Sequence, residues 1–145
     1  MQLVLATHNK DKIREIKDLL DDLPVEIKTF KDFPDMPDID ETGATLDENA
    51  ILKANGIFEY TGLPALADDT GLEVDALGGQ PGVYSSRYAG PGCSYDDNCN
   101  KLLKDLKGVS FERRGARFRT VIAITWDKDK VETVEGRADG VYLPP

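Results

Sequence analysis

Two adjacent carboxylates, Asp68 and Asp69, are the most conspicuous chemical feature of this sequence. The apolar run from Leu63 to Ala67 delivers them, and Thr70 and Gly71 follow at once. Neighbouring carboxylates repel, so keeping both ionised at one spot calls for a cation between or beside them. Mg²⁺ takes a few carboxylate oxygens together with water and substrate phosphates, which suits Asp68 and Asp69 at a strand end. The bland alternative is a turn, since Asp-Asp-Thr-Gly is ordinary loop chemistry.

Two upstream groups bear on the choice. Gln2 to Thr7 is a short apolar run, best read as a buried strand, that breaks into Thr7-His8-Asn9-Lys10-Asp11-Lys12. Ile13, Ile16, Leu19 and Leu20 then recur at helical spacing and end before Pro24. Strand, polar loop and helix start form the geometry in which free backbone N–H groups and the helix dipole meet a phosphate. Lys12 falls in the first helical turn, where a cation is mildly unfavourable for the dipole. Its placement makes sense beside an anion; the competing reading is a solvated lysine on an exposed face. The loop carries neither a GxGxxG nor a Walker pattern, so it is no dinucleotide fingerprint or P-loop.

The second group is Glu41-Thr42-Gly43, which leads into Thr45-Leu46-Asp47-Glu48. That is a capping-box pattern, with Thr45 as N-cap and Glu48 at the third helical position. The helix sets Leu46, Ala50, Ile51, Ala54 and Phe58 on one side. Lys53 falls off this stripe, so its ammonium is free to point at a cleft.

The rest of the chain supplies the frame. Val25 to Thr29 alternates as a half-buried strand, and residues 31–40 read as an irregular connection with Pro34 and Pro37. Leu72 to Leu77 alternates as a strand, and a glycine-proline loop over Gly78 to Gly82 precedes Tyr84, Arg87 and Tyr88. Tyr95 to Leu106 has helical spacing, stopped by Gly108. Ala116 to Trp126 is the clearest strand, with Arg117 and Arg119 opposite its apolar face and most naturally solvated. Val131 to Glu135 reads as a paired strand, and the sequence closes on Gly140 to Pro145. There is no internal repeat.

Composition narrows the class. At 145 residues the expectation is a single domain over 1–145, and 40% hydrophobic with 31% charged residues describes a soluble globular chain. No apolar run approaches a membrane span, so no membrane partner is expected. Met1 to Ala6 lacks the basic region of a signal peptide. Cys93 and Cys99, six apart, fit neither a CxxC motif nor a disulfide scaffold, and read as reduced thiols of a cytoplasmic protein. A net charge of −9 argues against a nucleic-acid polymer, whose phosphates are gripped by excess Lys and Arg. A small phosphate ligand stays compatible, because a metal and a few placed cations can hold a triphosphate in an acidic protein.

Taken as an ordered set, the motifs are specific. Thr7-x-Asn9-x-x-Lys12 follows the first strand. Glu41-Thr42-Gly43 comes next, with Glu48-Asn49-Ala50-x-x-Lys53-Ala54. Ala67-Asp68-Asp69-Thr70-Gly71-Leu72, Gly78-Gly79-x-Pro81-Gly82 and Ala116-Arg117-Phe118 complete the set. With these the chain closely resembles the inosine triphosphate pyrophosphatase family, the dITP/XTP pyrophosphatases, from Met1 to about Gly136. The resemblance implies an α/β fold, with a mixed, curved central sheet flanked by helices and two lobes around a cleft. It implies Mg²⁺-dependent hydrolysis of non-standard purine nucleoside triphosphates (ITP, dITP, XTP) to monophosphate and pyrophosphate, by an enzyme expected to be a homodimer.

Carried over by motif, Asp69 is the general base and a metal ligand, Glu41 shares the metal, and Asp68 supports them as a further metal-side carboxylate. The implied substrate contacts are Thr7, Asn9 and Lys12, with His8, Lys10 and Asp11 of the same loop, then Lys53, Thr70 and Arg87. The aromatic-glycine and Ser-His-Arg segments with which the family holds the base have no counterpart between Met1 and Pro145. The expectation is therefore a C-terminally short chain with an incomplete second lobe, in which the phosphate-and-metal half is present. The alternative it raises is a catalytically weak homologue that only binds nucleotide or self-associates.

Overall fold

The structure, a computed structural model, describes residues 1–90 and 92–141; the closing stretch from Tyr142 to Pro145 lies outside the described residues. Strand β1 (Gln2–Leu5) leads into helix α1 (Lys10–Leu19) and strand β2 (Glu26–Lys28). Helix α2 (Leu46–Thr61) precedes β3 (Ala65–Val74) and the short β4 (Pro81–Gly82). Helix α3 (Tyr95–Asp105), β5 (Gly115–Asp127) and β6 (Lys130–Val141) complete the order. The strands form one open sheet in the order β2-β1-β3-β5-β6, with β4 added on β3. β1 pairs parallel with both β2 and β3, whereas β3 and β4 run antiparallel, so the sheet is mixed and helix-flanked. This is the α/β class implied by the sequence.

The chain resolves into two compact units, each assembled from separate segments. The first comprises Met1–Gly43, Asp47–Asp68 and Ile122–Val134; the second comprises Ala44–Leu46, Asp69–Val121 and Glu135–Pro145.

In the first unit β1 is buried on both faces, as a parallel strand covered by helices should be. Leu3 and Leu5 join Ile13 of α1 and Leu66, packed by Ile16, Leu20, Phe30, Ile122 and Ile124. Val4 joins Met36, Ala65 and Ile57 of α2. Leu5 and Ile57 are almost wholly buried, and each such side chain contributes about 1.5–3 kcal/mol. Two details of the helix stripes differ from the sequence reading. Leu19 is 81% exposed, because it lies at the last residue of α1, and Ile57 is the deep apolar anchor of α2.

In the second unit Val74, Leu102, Leu106 and Ala116 form the core, with Leu72, Leu77, Tyr88 and Val109 against it. Ser94 caps α3 by accepting the Asp97 N–H at 3.1 Å, and Asp97 returns the bond to the Ser94 N–H at 2.9 Å.

Three further expectations are corrected. The Asp68-Asp69-Thr70-Gly71 stretch is neither the expected strand end nor the alternative turn: β3 runs unbroken through it, and the strand expected over Leu72 to Leu77 ends at Val74 in a 3₁₀ turn over Asp75–Leu77. In β5 the apolar face reaches the core through Ala116, Ile122 and Ile124, while Phe118 is 57% exposed. Val121, Ala123 and Thr125 of the opposite face are almost wholly buried. Arg117 and Arg119 are not simply solvated either. Arg117 reaches Asp75 at 2.7 Å, Asp139 at 3.5 Å and Glu73 at 3.6 Å, and Arg119 pairs with Glu135 and Glu73. No helix among the described residues is long and apolar enough to cross a membrane.

Candidate active site

The loop between β1 and α1 is built by its own side chains. Thr7 Oγ1 accepts the Asn9 N–H at 3.1 Å. Asn9 adopts extended backbone and caps α1, its Oδ1 accepting the N–H groups of Asp11 at 2.9 Å and Lys12 at 3.2 Å. Thr7 and Asn9 thus shape the helix start. The first turn of α1 carries Lys12, whose Nζ lies 2.8 Å from Asp68 Oδ2.

The other three loop residues have different partners. His8 Nδ1 lies 3.0 Å from Asp38 Oδ1, and its ring meets Phe30 at a centroid distance of 5.3 Å. Asp11 pairs with Arg14 at 3.2 Å. Lys10 lines a shallow pocket of about 270 Å³ with Arg14, Lys17 and Lys31.

Helix α2 supplies the second ammonium. Thr45, the expected cap, directly precedes its first residue, and Lys53 emerges two turns later with its side chain 17% exposed. Lys53 Nζ donates to the carbonyl oxygen of Asp68 and pairs with Glu41 Oε1 at 3.1 Å. Two lysines from two helices therefore converge on one residue of β3, one on its carboxylate and one on its carbonyl. A residue to which the sequence reading gave no role belongs here too. Asn49, fully buried one turn before Lys53, accepts the Gly43 N–H at 2.7 Å and so ties down the segment that carries Glu41. Its signal was a polar residue poor in helix propensity beside the apolar stripe.

Asp68 and Asp69 are each 8% exposed. Successive residues of a strand face opposite sides of the sheet, so β3 sends these two carboxylates in opposite directions. Asp68 goes to Lys12 at 2.8 Å, and Asp69 lies on the other side of the strand. Thr70 is exposed and shares a hydrogen bond of 2.8 Å with Thr120. Arg87 sits in a 3₁₀ turn over Ser85–Arg87, its guanidinium 5.1 Å above the Tyr84 ring.

Residues 3–145 match the family model described as the Ham1 family. The chain belongs to the Ham1 family. Among relatives, it is 50% identical over 142 residues to the dITP/XTP pyrophosphatase of Geobacter sulfurreducens, covering 98% of this chain and 71% of that one. It is 47% identical over 143 residues to the dITP/XTP pyrophosphatase of Thermoanaerobacter sp., covering 99% and 72%. Among solved structures, the HAM1 protein from Coxiella burnetii superposes with a TM-score of 0.90 at 40% identity, covering 97% of this chain and 72% of that one. The Staphylococcus aureus Ham1 protein gives 0.86 at 35%, covering 99% and 72%. In this Ham1-family chain Lys12 lies on α1, Asn49 and Lys53 on α2, Asp68, Asp69 and Thr70 on β3, and Arg87 in the 3₁₀ turn over Ser85–Arg87.

Among the described residues, no three His, Cys, Asp or Glu side chains stand together as a ready metal cage. Mg²⁺ needs none, since it is commonly held by one or two carboxylates plus substrate phosphates and water. The donor chemistry fits that mode residue by residue, because Glu41, Asp68 and Asp69 each offer only hard oxygen atoms and each is largely withdrawn from solvent.

Proposed function

We propose that the chain hydrolyses non-standard purine nucleoside triphosphates, such as ITP, dITP and XTP, to the monophosphate and pyrophosphate. The observation that carries this reading is the convergence of Lys12 and Lys53 on Asp68 in a protein of net charge −9. Two ammoniums beside a helix N-terminus make a local anion site in an otherwise acidic protein. The activity named for the Geobacter and Thermoanaerobacter relatives supports the same substrate class.

In this reading Lys12, Lys53 and the N–H groups at the start of α1 bind the phosphate chain and stabilise charge on the departing pyrophosphate. Asp69 takes the proton from the attacking water, and its burial favours that role by holding the carboxylate away from bulk solvent. Asp68 holds Lys12 in place. Glu41 and Asp69 are the residues that would hold a divalent cation, read as Mg²⁺. Such an ion, when bound, neutralises phosphate oxygens and orients water. Thr70 and Arg87 complete the substrate contacts. His8 and Asp11 act on the shape of the loop, and Lys10 adds positive charge beside it.

A homodimer belongs to this reading, as carried over from the family resemblance. A cytoplasmic location does too, in keeping with the free thiols of Cys93 and Cys99.

The test is pyrophosphate release from ITP, XTP, GTP and ATP, with and without Mg²⁺, by the chain and by Asp69→Asn. The expected result is Mg²⁺-dependent release favouring ITP and XTP, lowered roughly 10²–10⁴-fold in the variant. A folded Asp69→Asn variant with undiminished turnover overturns the assignment of the base. Release from none of the four nucleotides overturns the activity.

A further inference from the structure

Asn49 is an odd residue to find where it is. It lies in the first turn of α2 at 0% exposure, beside Leu46 at 3% and Ala50 at 0%. Asparagine is a poor helix former, because its amide competes for backbone hydrogen bonds. Its Oδ1 accepts the Gly43 N–H at 2.7 Å, while its Nδ2 is buried with no hydrogen-bond partner among the described residues. A buried orphan donor is a cost that an apolar residue of similar size would avoid, so stability of the helix alone does not account for it.

Gly43 is matched to this contact. A Cβ there would lie 2.6 Å from Glu48 Cβ and 2.7 Å from Asn49 Oδ1, so only glycine lets the segment close onto the first turn of α2. Glu41 is two residues upstream of the clamped amide, and its Oε1 lies 3.1 Å from Lys53 Nζ. Lys53 follows Asn49 by four residues, which places both side chains on one face of α2. The same helical face thus holds the Glu41 segment twice, by the backbone at Gly43 and by the carboxylate at Glu41.

We propose that Asn49 is a positioning residue for Glu41: by accepting the Gly43 N–H it fixes the segment from Glu41 to Gly43 on α2, so that the Glu41 carboxylate is pre-set to receive a divalent cation. This rests on the reading of Glu41 given above. Asn49 itself touches neither substrate nor metal. The coupling is reciprocal: an ion that binds Glu41 better in the clamped state makes the clamp itself harder to open.

Binding of Mn²⁺ alone, followed by electron paramagnetic resonance, tests this on the wild type, Asn49→Leu and Asn49→Asp. Asn49→Leu keeps the volume, removes the orphan donor and removes the acceptor. It should fold, with a melting temperature near that of the wild type, yet bind Mn²⁺ roughly 10–100-fold more weakly, as expected when a group that orients a ligand is lost. Asn49→Asp keeps the acceptor oxygen and should recover most of that affinity. A folded Asn49→Leu that binds Mn²⁺ as the wild type does overturns the proposal, as does an Asn49→Asp equally weak.

If Asn49→Leu does not fold, the wild type decides. Exchange of the Gly43 amide with solvent, followed by NMR, should slow when Mg²⁺ is added, and an unchanged rate at saturating Mg²⁺ overturns the coupling. A wild type that binds no Mn²⁺ removes the metal role of Glu41 and this proposal with it. Normal wild-type binding with an indifferent Asn49→Leu removes the proposal alone.

Discussion

Lys12 Nζ stands 2.8 Å from Asp68 Oδ2, and the two residues are 56 positions apart in the chain. The carboxylate side chain is 12% exposed and the lysine side chain 38% exposed, so the pair joins a half-open ammonium to a nearly buried anion. That asymmetry sets the cost of removing either partner. A lysine read only as a phosphate contact would be neutral for stability; one that neutralises a buried carboxylate is not.

Lys12→Met is therefore expected to destabilise the fold as well as weaken substrate binding. Solvent at Lys12 screens the pair, so the expected loss is about 1–2 kcal/mol. Asp68→Asn combined with Lys12→Met should recover part of it, because no buried charge is then left behind. Urea denaturation of the two single variants and the double variant measures the coupling. A double variant that merely sums the single losses would show that the pair carries no interaction of its own.

Lys53→Ala is expected to weaken triphosphate binding by roughly 1.5–3 kcal/mol, the worth of a lost charge-assisted hydrogen bond. Its side chain is 17% exposed and bridges Glu41 and the Asp68 carbonyl, so some thermal stability should go with it. Calorimetry with a non-hydrolysable ITP analogue reads the first effect and a melting curve the second. Lost stability with unchanged affinity would make Lys53 purely structural.

Gly71 has no room for a side chain. A Cβ there would run into the Gly82 carbonyl of β4 and come within 3.2 Å of Leu46 Cδ2. Since β4 pairs with β3 at Leu72↔Gly82, Gly71→Ala should push the two strands apart. The expected loss is about 1–3 kcal/mol, as for other overpacked sites, with the midpoint of urea unfolding as the measurement. A midpoint equal to that of the wild type would mean that β4 moves aside freely.

The Tyr88 hydroxyl, and after it the Lys101 ammonium, hold the Asp105 carboxyl below the usual carboxylate range. The folded state therefore takes up this proton less readily than the unfolded chain does. The stability it contributes is complete above the unfolded value, near pH 4, and is lost as pH falls through the lower folded value. Asp105→Asn should flatten the acid limb of melting temperature against pH below about pH 4 and leave its shape at neutral pH unchanged. An acid limb as steep as that of the wild type would place the acid sensitivity in other carboxylates.

Much was legible in the chain itself, and the reasons are local. The apolar run Gln2 to Thr7, the polar break after it and the helical spacing from Ile13 mark strand, loop and helix start, so the loop that ends in Lys12 could be read from pattern alone. Leu3, Leu5 and Ile13 are apolar at strand and helix periods, and Thr45 before the α2 run marks its start. The ordered motifs also pointed to the family to which the chain belongs. Each of these signals lives within a few residues, where backbone preference and periodicity decide.

The tertiary structure alone decided which partners those residues meet. Asp-Asp-Thr-Gly favours a turn by composition, yet pairing of Leu66 with Leu5 and of Leu72 with Gly82 holds the stretch between them as continuous strand. The strand in turn separates Asp68 from Asp69, which their adjacency in sequence had placed at one spot. The capture of His8 by Asp38 and Phe30, the pairing of Arg117 and Arg119 with acids on other segments, and the clamp of Asn49 on Gly43 are of the same kind. Local pattern does not name the partner in any of them, because the energy of a tertiary pair depends on where the backbone brings the two residues. Sequence named the groups that could do chemistry; the sheet and its helices determined which of them stand together.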